Sequence, residues 1–366
     1  MTRRTPENRC APVGAWPQVD QARWKIALSD PDPFEPIVGY ARRWAPKTVI
    51  LVEKGYGRWI NWLHLTGQLD ADSVPEERPT DTRLRSYFRG LQDAGIGDYT
   101  IANYLQQLGN ALVAMAPTGD WSGILRAAGR VRLDATPVKD VDSRMQPPEV
   151  LLELGWELMT SAEHQQGLST EERATQFRDG LMVILLVHRP LRVANVAQIR
   201  IGEHLHQRNG AWWLAFSPDE MKTSRPFEFS LPTSFAEPMR RYLETVRPLL
   251  LARRTLGDTS ALFVTREGSA MTEGRISERI TIRTAKAFDK SVNPHLFRHI
   301  AATTIATANP ENVTDVARVL GHASMRTSEK HYIRARTVEA GRNYQSTVTA
   351  IRRGEPTRRR GGVDKN

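Results

Sequence analysis

Four residues in the C-terminal third of the chain have side chains suited to phosphate chemistry. His295, Arg298, His322 and Tyr332 lie within forty residues of one another. Cationic side chains can hold a phosphate through charge-assisted hydrogen bonds, and a tyrosine oxygen can attack its phosphorus. A single histidine or tyrosine is more often a packed or surface residue, so the prediction depends on the whole set.

Three successive short helices are predicted to carry these residues. An Asn-Pro pair at residues 293–294 precedes the first helix, and a second pair at residues 309–310 separates it from the next. Proline is tolerated at the first turn of a helix but not in its interior, so both pairs mark boundaries. A Leu-Gly-His sequence, ending at His322, marks the end of the second helix.

The composition is that of an ordinary globular protein. The 366 residues are 40% hydrophobic and 25% charged, enough for two domains with a core in each. The longest apolar run, residues 181–187, is far too short to span a bilayer, and the first residues lack the apolar core of a signal peptide. A single cysteine, Cys10, excludes an intrachain disulfide and a cysteine-rich zinc site. We therefore expect a cytoplasmic protein.

The net charge of +10 favours a polyanionic partner such as nucleic acid, but only weakly. Residues 350–366 contain six basic and two acidic residues, so +4 lies in a tail that we expect to be disordered. The remaining charge is spread over the rest of the chain.

Residues 1–45 and 46–131 differ in pattern. The first segment is rich in proline and tryptophan and is interpreted as an extension wrapped on the next domain, with a small separate DNA-binding module as the alternative. The second has the pattern of four amphipathic helices, around residues 49–63, 80–91 and 99–115 and after residue 121. Five basic residues of this helical module are predicted to be exposed and able to contact phosphates: Lys47, Arg58, Arg83, Arg85 and Arg89. A solvated surface explains any one of them equally well.

Residues 132–147 lack helical periodicity and are predicted to link this module to a second domain, residues 148–337. Helices are predicted after residue 148, from a capping box at Ser169 and Glu172, and over residues 235–254 and 272–288. Alternating residues predict strands over 211–216 and 226–231, joined by a loop that presents Lys222, and a short strand over 262–265. The sequence therefore predicts a mainly α fold with a small antiparallel sheet.

These motifs, in this order, resemble the tyrosine recombinases, also called the phage integrase family. Residues 146–352 are similar to the α+β catalytic domain, and residues 46–130 to the all-α core-binding domain. Six residues match the catalytic positions of the family: Arg192, Lys222, His295, Arg298, His322 and Tyr332. Two features depart from it. Asn195 stands where the family has an acidic residue, and Tyr332 lies one residue further from His322 than in many members, whose tyrosine position is His331 here.

The resemblance implies a site-specific DNA recombinase that forms a 3′-phosphotyrosyl intermediate. Arg192, Arg298 and His322 would hold the phosphate, and Tyr332 would attack it. His295 would be the base that accepts the tyrosine proton, and Lys222 the acid that protonates the leaving oxygen. The phosphotyrosyl bond conserves the energy of the phosphodiester, so no cofactor and no metal are expected. The sequence also lacks a nucleotide-binding glycine motif.

The family further implies a C-shaped clamp of two domains on duplex DNA and a homotetramer on paired sites. The expected setting is the integration or excision of a mobile element in a bacterial nucleoid, with an accessory DNA-bending protein as an optional partner. A weak amphipathic helix and basic tail over residues 338–366 are expected to dock on a neighbouring protomer. Two alternatives stay open: a nicking-closing enzyme similar to type IB topoisomerases, and a DNA-binding protein without catalytic activity.

Overall fold

The computed structural model describes residues 9–30, 39–136, 142–221, 226–252 and 260–308. The chain divides between residues 140 and 141 into two compact units. In the described residues the first unit is helical, and the second combines helices with a three-stranded antiparallel sheet. The predicted fold class, mainly α with a small antiparallel sheet, is thereby confirmed.

The described part of the first unit contains five α-helices: α1 (Gln18–Leu28), α2 (Pro46–Leu65), α3 (Asp81–Asp93), α4 (Asp98–Met115) and α5 (Ser122–Asp134). The Thr80 hydroxyl caps α3 by accepting the backbone N–H of Arg83. Helix α5 continues past residue 132, where the sequence predicted a linker, because Val131 still packs against the core and the last turn completes.

The N-terminal segment shares the core of the first unit. Trp16 and Trp24 are buried in the same cluster as Trp59 of α2. The backbone of this segment lies directly on α2, since a Cβ atom on Gly57 would be 2.1 Å from the Ala11 carbonyl oxygen. A side chain at Gly57 would therefore push the segment away.

The second unit is built around α6 (Pro148–His164) and α7 (Thr170–His188). The predicted capping box is present, because the Ser169 hydroxyl accepts the Glu172 N–H and the Glu172 carboxylate accepts the Ser169 N–H. Every residue of α7 from 174 to 186 is buried. Close approach of the two helices requires Gly180, where a Cβ atom would lie 2.6 Å from the Gly155 carbonyl oxygen.

Three strands follow the short helix α8 (Val193–Ala197): β1 (Leu205–Arg208), β2 (Ala211–Phe216) and β3 (Phe227–Ser230). The sequence predicted β2 and β3 but not β1. The sequence contained a signal for this hairpin, the Asn-Gly pair at residues 209–210. In the structure Asn209 and Gly210 join β1 to β2 with φ values of 51° and 77°. Asn-Gly favours the two-residue hairpin turn that needs positive φ at both positions.

The remaining described helices are α9 (Ala236–Arg241), α10 (Arg247–Leu251), α11 (Glu273–Phe288) and α12 (Pro294–Ala308). A π-helical turn, Tyr242–Val246, joins α9 to α10 just before Pro248, which has no N–H to continue an α-helical pattern. The predicted strand over residues 262–265 is wrong. Val264 pairs only through an isolated bridge to Ala270, since the chain turns back at once through a bond from the Thr265 N–H to the Ser269 carbonyl.

None of the helices in the described ranges is both long enough and apolar enough to cross a bilayer.

Candidate active site

Helix α12 places His295 and Arg298 one turn apart. Pro294 opens the helix, and the Asn293 side chain accepts the Leu296 N–H at 3.1 Å, so the Asn-Pro pair fixes the start of the helix. Residues three positions apart are neighbours on a helix surface. The spacing therefore presents an imidazole and a guanidinium together.

The Arg298 side chain is directed toward the segment between α7 and α8. Its Nη1 atom donates to the Pro190 carbonyl at 2.5 Å, and only 8% of the residue is exposed. Burial, followed by the nearby charge of Arg192, lowers the pKa of Arg298 to about 10. The guanidinium is still charged at neutral pH.

Arg192 lies two residues after Pro190 and is the N-cap residue of α8. Its backbone is extended and its side chain is half-buried. Burial lowers its pKa as well. Two arginines that are 106 positions apart in the sequence thus form one positively charged region, which would attract a phosphate.

The His295 ring belongs to the same region. Although the residue is exposed, loss of surrounding water lowers its pKa, and the charges of His299, Arg298 and Arg192 lower it further. The ring is therefore neutral at pH 7 and able to accept a proton. The structure thus brings Arg192, His295 and Arg298 together.

The sequence interpretation assigned no role to His299. Its Nε2 atom lies 3.2 Å from Nε2 of His295, and the two rings meet edge to face at 4.8 Å. One nitrogen must donate and the other accept, so the pair fixes the orientation of the His295 ring. The spacing of four residues on a predicted helix was the available signal.

The other three predicted catalytic residues, Lys222, His322 and Tyr332, lie outside the described residues. Residues 338–366, with the predicted docking helix and basic tail, lie outside them too. Residues 142–221 are described, and Asn195 contacts the last two of them. The Asn195 amide donates to the Glu220 carbonyl at 3.3 Å and approaches the Met221 sulfur at 3.5 Å.

Comparison with known proteins adds to this geometry. Residues 157–339, half of the chain, match the model described as "Phage integrase family". This protein belongs to the phage integrase family. Curated relatives include the tyrosine recombinases XerC of Neisseria meningitidis serogroup B and Neisseria gonorrhoeae, each 31% identical over 88 residues. That alignment covers 24% of this chain and 29% and 28% of the two relatives, so the chain matches less than a third of their length.

Solved structures of similar fold cover more of the chain. A XerH site-specific recombinase bound to a palindromic difH substrate, in a post-cleavage complex, aligns with a TM-score of 0.56 and 17% identity over 83% of this chain and 82% of that one. The Tn1549 transposon integrase in complex with transposon right end DNA aligns with a TM-score of 0.53 and 13% identity over 88% of this chain and 98% of that one. At these identities the likeness shows a shared fold.

In this phage integrase family member, the first unit carries a groove of about 720 Å³ between α3 and α5. Arg85 and Arg89 line it, as do Arg126 and Arg130 of α5, which the sequence interpretation missed. All four arginines are exposed, and Asp81 and Asp120 lie at the same groove. Its apolar floor includes Phe88, Trp121 and Ile124.

The other three basic residues predicted on this family member's helical unit lie in different surroundings. Lys47 is exposed on the first turn of α2, and Arg83 is half-buried with a bond from Nη1 to the Arg78 carbonyl. Arg58, like Arg83, is less exposed than the sequence predicted. It is half-buried because its planar guanidinium stacks on an aromatic face, with the guanidinium carbon 3.6 Å from the centre of the Tyr104 ring. Its contact with phosphate remains a prediction.

Proposed function

We propose that this protein is a site-specific DNA recombinase that cleaves and rejoins duplex DNA through a 3′-phosphotyrosyl intermediate. The observation that carries the proposal is the positively charged region formed by Arg192 and Arg298 beside a neutral His295. Such a region suits an anionic group that must be held while a neighbouring hydroxyl loses its proton.

The arginines would stabilise the phosphate in the transition state. Attack on a phosphodiester spreads negative charge over its equatorial oxygens, and guanidinium groups offer forked donors with matching geometry. Because burial has removed water from Arg192 and Arg298, their interaction with an incoming oxygen is stronger than in solvent. His322 is proposed to donate a further hydrogen bond.

The covalent step has two proton transfers. The Tyr332 oxygen forms a bond to phosphorus while the bond from phosphorus to the 5′-oxygen breaks. The phenol proton passes to His295, which is neutral and can accept it. The 5′-oxygen takes a proton from Lys222. Attack by a 5′-hydroxyl on the phosphotyrosyl bond, with the protons moving back, rejoins the strands.

Duplex DNA is the proposed substrate, and the helical unit would contact it. The groove that contains Arg85, Arg89, Arg126 and Arg130 offers four cations to a phosphate backbone. Its two acidic residues, Asp81 and Asp120, would weaken the attraction but leave it positive.

A homotetramer on paired sites would exchange strands, for integration or excision of a mobile element, with or without a DNA-bending partner. An apolar cleft of about 240 Å³ lies between α6, α7 and α12, lined by Leu151, Val187, Phe297 and Ile305 among others. It could receive the apolar residues of segment 338–351 from a second copy.

Deletion of residues 338–366, and the single substitution Ile305→Glu, should keep binding to one site and weaken pairing of two sites in native gel electrophoresis. Unchanged pairing in both variants would contradict this assembly.

The covalent intermediate is the decisive test. A site can be selected from random-sequence duplexes by binding, and a nicked duplex carrying it would trap the adduct. Tyr332→Phe should bind this DNA and form no adduct, whereas His331→Ala should retain at least part of it. Tyr344→Phe is the matched control and should retain it fully. A nucleotide remnant mapped by mass spectrometry to any residue other than Tyr332 would refute the assignment.

The same assay separates the two alternatives. A protein that only binds DNA forms no adduct. A nicking-closing enzyme forms the adduct and reseals one duplex, but gives no joined product from two duplexes.

A further inference from the structure

A buried histidine of the second unit ties together two segments that are distant in sequence. His204 lies just before β1 and is 3% exposed. Its Nδ1 atom accepts the backbone N–H of Arg200 at 3.1 Å, so Nδ1 carries no proton. The proton therefore belongs to Nε2, which lies 2.6 Å from Oε1 of Glu220. A neutral imidazole thus donates to a carboxylate.

Glu220 is the centre of a tightly bonded turn after β2. Its second carboxylate oxygen accepts both the N–H and the hydroxyl of Ser217, at 2.8 and 2.7 Å. Burial opposes ionisation of this carboxyl, but the hydrogen bonds from His204 and Ser217 outweigh it and lower the pKa of Glu220 to about 2. The carboxylate is thus charged and fully engaged at neutral pH.

The main chain of the same residue is held from a second direction. Asn195 is buried on α8 and donates to the Glu220 carbonyl. Asn195 lies three residues after Arg192, and Lys222 lies two residues after Glu220. The turn at residues 217–221 therefore links α8, which follows Arg192, to the start of the loop that carries Lys222.

We propose that His204 is a positioning residue for the proposed general acid: through Glu220 it fixes the point from which the Lys222 loop departs. The inference rests on the proposed function of Lys222. Asn195, which stands at the position of the family's acidic residue, supplies the second attachment. Fixing residues 217–221 sets the place at which the chain continues to Lys222, and a proton donor that is held in position transfers its proton faster.

A metal site is the rival explanation of the cluster. Glu203 brings a further carboxylate, and one ligand atom from each of Glu203, His204 and Glu220 lies within 4.8 Å of the others. However, both ring nitrogens of His204 already take part in hydrogen bonds. A metal would have to displace one of them, so the hydrogen-bonded anchor explains the geometry better.

The anchor can be tested without DNA. Trypsin cleaves after Lys222, and mass spectrometry can follow cleavage of the bond between residues 222 and 223. His204→Leu, which keeps apolar volume against the Phe216 ring, should speed this cleavage roughly tenfold, because the turn opens more often. Glu220→Ala should do the same from the other side. His204→Gln, which retains a donor toward Glu220, should restore slow cleavage. His206→Leu, two residues further on in β1, is the matched control and should change nothing.

The effect of His204 on catalysis can be tested by comparing the ordinary duplex with a second substrate. A nicked duplex with a bridging 5′-sulfur has a leaving group that requires no proton. His204→Leu should slow adduct formation roughly tenfold on the ordinary duplex and less than about twofold on the sulfur duplex. In a Lys222→Ala background, His204→Leu should cause no further loss, because both changes act on one proton transfer.

The outcomes separate this inference from the proposed function. If the wild-type protein forms no adduct on either duplex, the proposed function fails, whatever the trypsin result. If the adduct forms but His204→Leu slows both duplexes equally, or leaves trypsin cleavage unchanged, the positioning role of His204 is wrong. Protection of the 222–223 bond by added Zn²⁺ would overturn the anchor in favour of a metal site.

Discussion

Asp20 in the first unit and Asp179 in the second are both fully buried and both bonded to arginine, yet their pKa values move in opposite directions. Asp20 accepts hydrogen bonds from Nη1 of Arg78 at 2.7 Å and from the Tyr56 hydroxyl at 2.9 Å. Burial outweighs these bonds and raises the pKa of Asp20. One bonded arginine, with Arg23 contributing only through its charge, therefore does not compensate for the loss of water.

Asp179 has three arginines around it. Arg178 donates to Oδ1 at 2.7 Å, and Arg279 and Arg283 of α11 both donate to Oδ2 at 2.8 Å. Burial again opposes the charge, but the three guanidinium groups outweigh it and lower the pKa of Asp179. The comparison teaches that the number of cations, more than burial itself, decides whether a buried carboxylate is stabilised.

The candidate active site is the opposite case. Arg192 and Arg298 are close enough for one to lower the pKa of the other, and Arg298 donates to a neutral carbonyl. Around Asp179 the arginines surround an anion of the protein itself. At the site, positive charge accumulates where the proposed phosphate would supply the anion.

Removal of the Asp179 carboxylate should have the largest effect on the free energy of unfolding. Asp179→Ala leaves Arg178, which is 2% exposed, without its buried counter-ion. We expect a loss of about 3–5 kcal/mol in the free energy of unfolding, measured by urea denaturation. Glu237→Ala, which breaks the exposed pair with Arg240, is the control and should change the free energy of unfolding little, because water screens exposed charges. Equal costs for the two changes would contradict the comparison.

Arg298→Gln should separate catalysis from stability. The shorter amide gives up the bond to the Pro190 carbonyl, but the substitution also removes a buried charge next to Arg192, so the unfolding free energy should change little. Adduct formation should slow roughly 10²- to 10³-fold, as for other preorganised donors in transition states. Single-turnover cleavage of the nicked duplex measures this. A large loss of stability would instead place Arg298 with the structural arginines.

Acid unfolding should sharpen the contrast between the two aspartates. The pKa of Asp179 is lowered, so its contribution to stability is present above its ordinary pKa of 3.8 and is lost as the pH falls below that value. Arg279→Gln combined with Arg283→Gln weakens the lowering, and unfolding of the second unit should then begin at higher pH. The raised pKa of Asp20 has the opposite sign, because stability gained there grows as the pH falls through it.

The pH dependence of cleavage tests the positively charged region around His295. A neutral His295 is required as base, so the rate should fall as the pH drops through its lowered pKa, below the ordinary value of 6.5. His299→Ala removes one cause of the lowering, and the acid limb should move to higher pH. Thr307→Ala on the same helix should leave the limb in place. A limb that moves to lower pH would be inconsistent with this electrostatic account.

The smallest expected effect concerns the groove of the first unit. Arg85→Ala and Arg89→Ala should each weaken DNA binding evenly across sequences and reduce the slope of log K against log salt by about one. Fluorescence anisotropy at several salt concentrations measures the slope. Arg42→Ala is the control, since Arg42 is exposed but paired with Asp30. An unchanged slope for both groove variants would remove this surface from the proposed DNA contacts.

The sequence by itself determined most of the local structure and the identity of the candidate residues. Amphipathic periodicity located the helices α2 to α5, and a proline pair and a capping box located the starts of α6 and α7, because these signals depend on neighbours within a few positions. The His-x-x-Arg spacing placed His295 and Arg298 on one helix face for the same reason. The strand over residues 262–265 failed because its apolar residues fill the core without a long partner strand.

Only the tertiary structure decided which of these residues act together. The bond from Arg298 to the Pro190 carbonyl spans 108 positions, and the ring of Tyr104 covers one face of the half-buried Arg58 guanidinium. The contact between His204 and Glu220 depends on the pairing of β1 with β2, which brings residues 16 positions apart to 2.6 Å. Charge, burial and hydrogen bonding depend on contacts between residues that are distant in sequence, and local sequence patterns do not reveal such contacts.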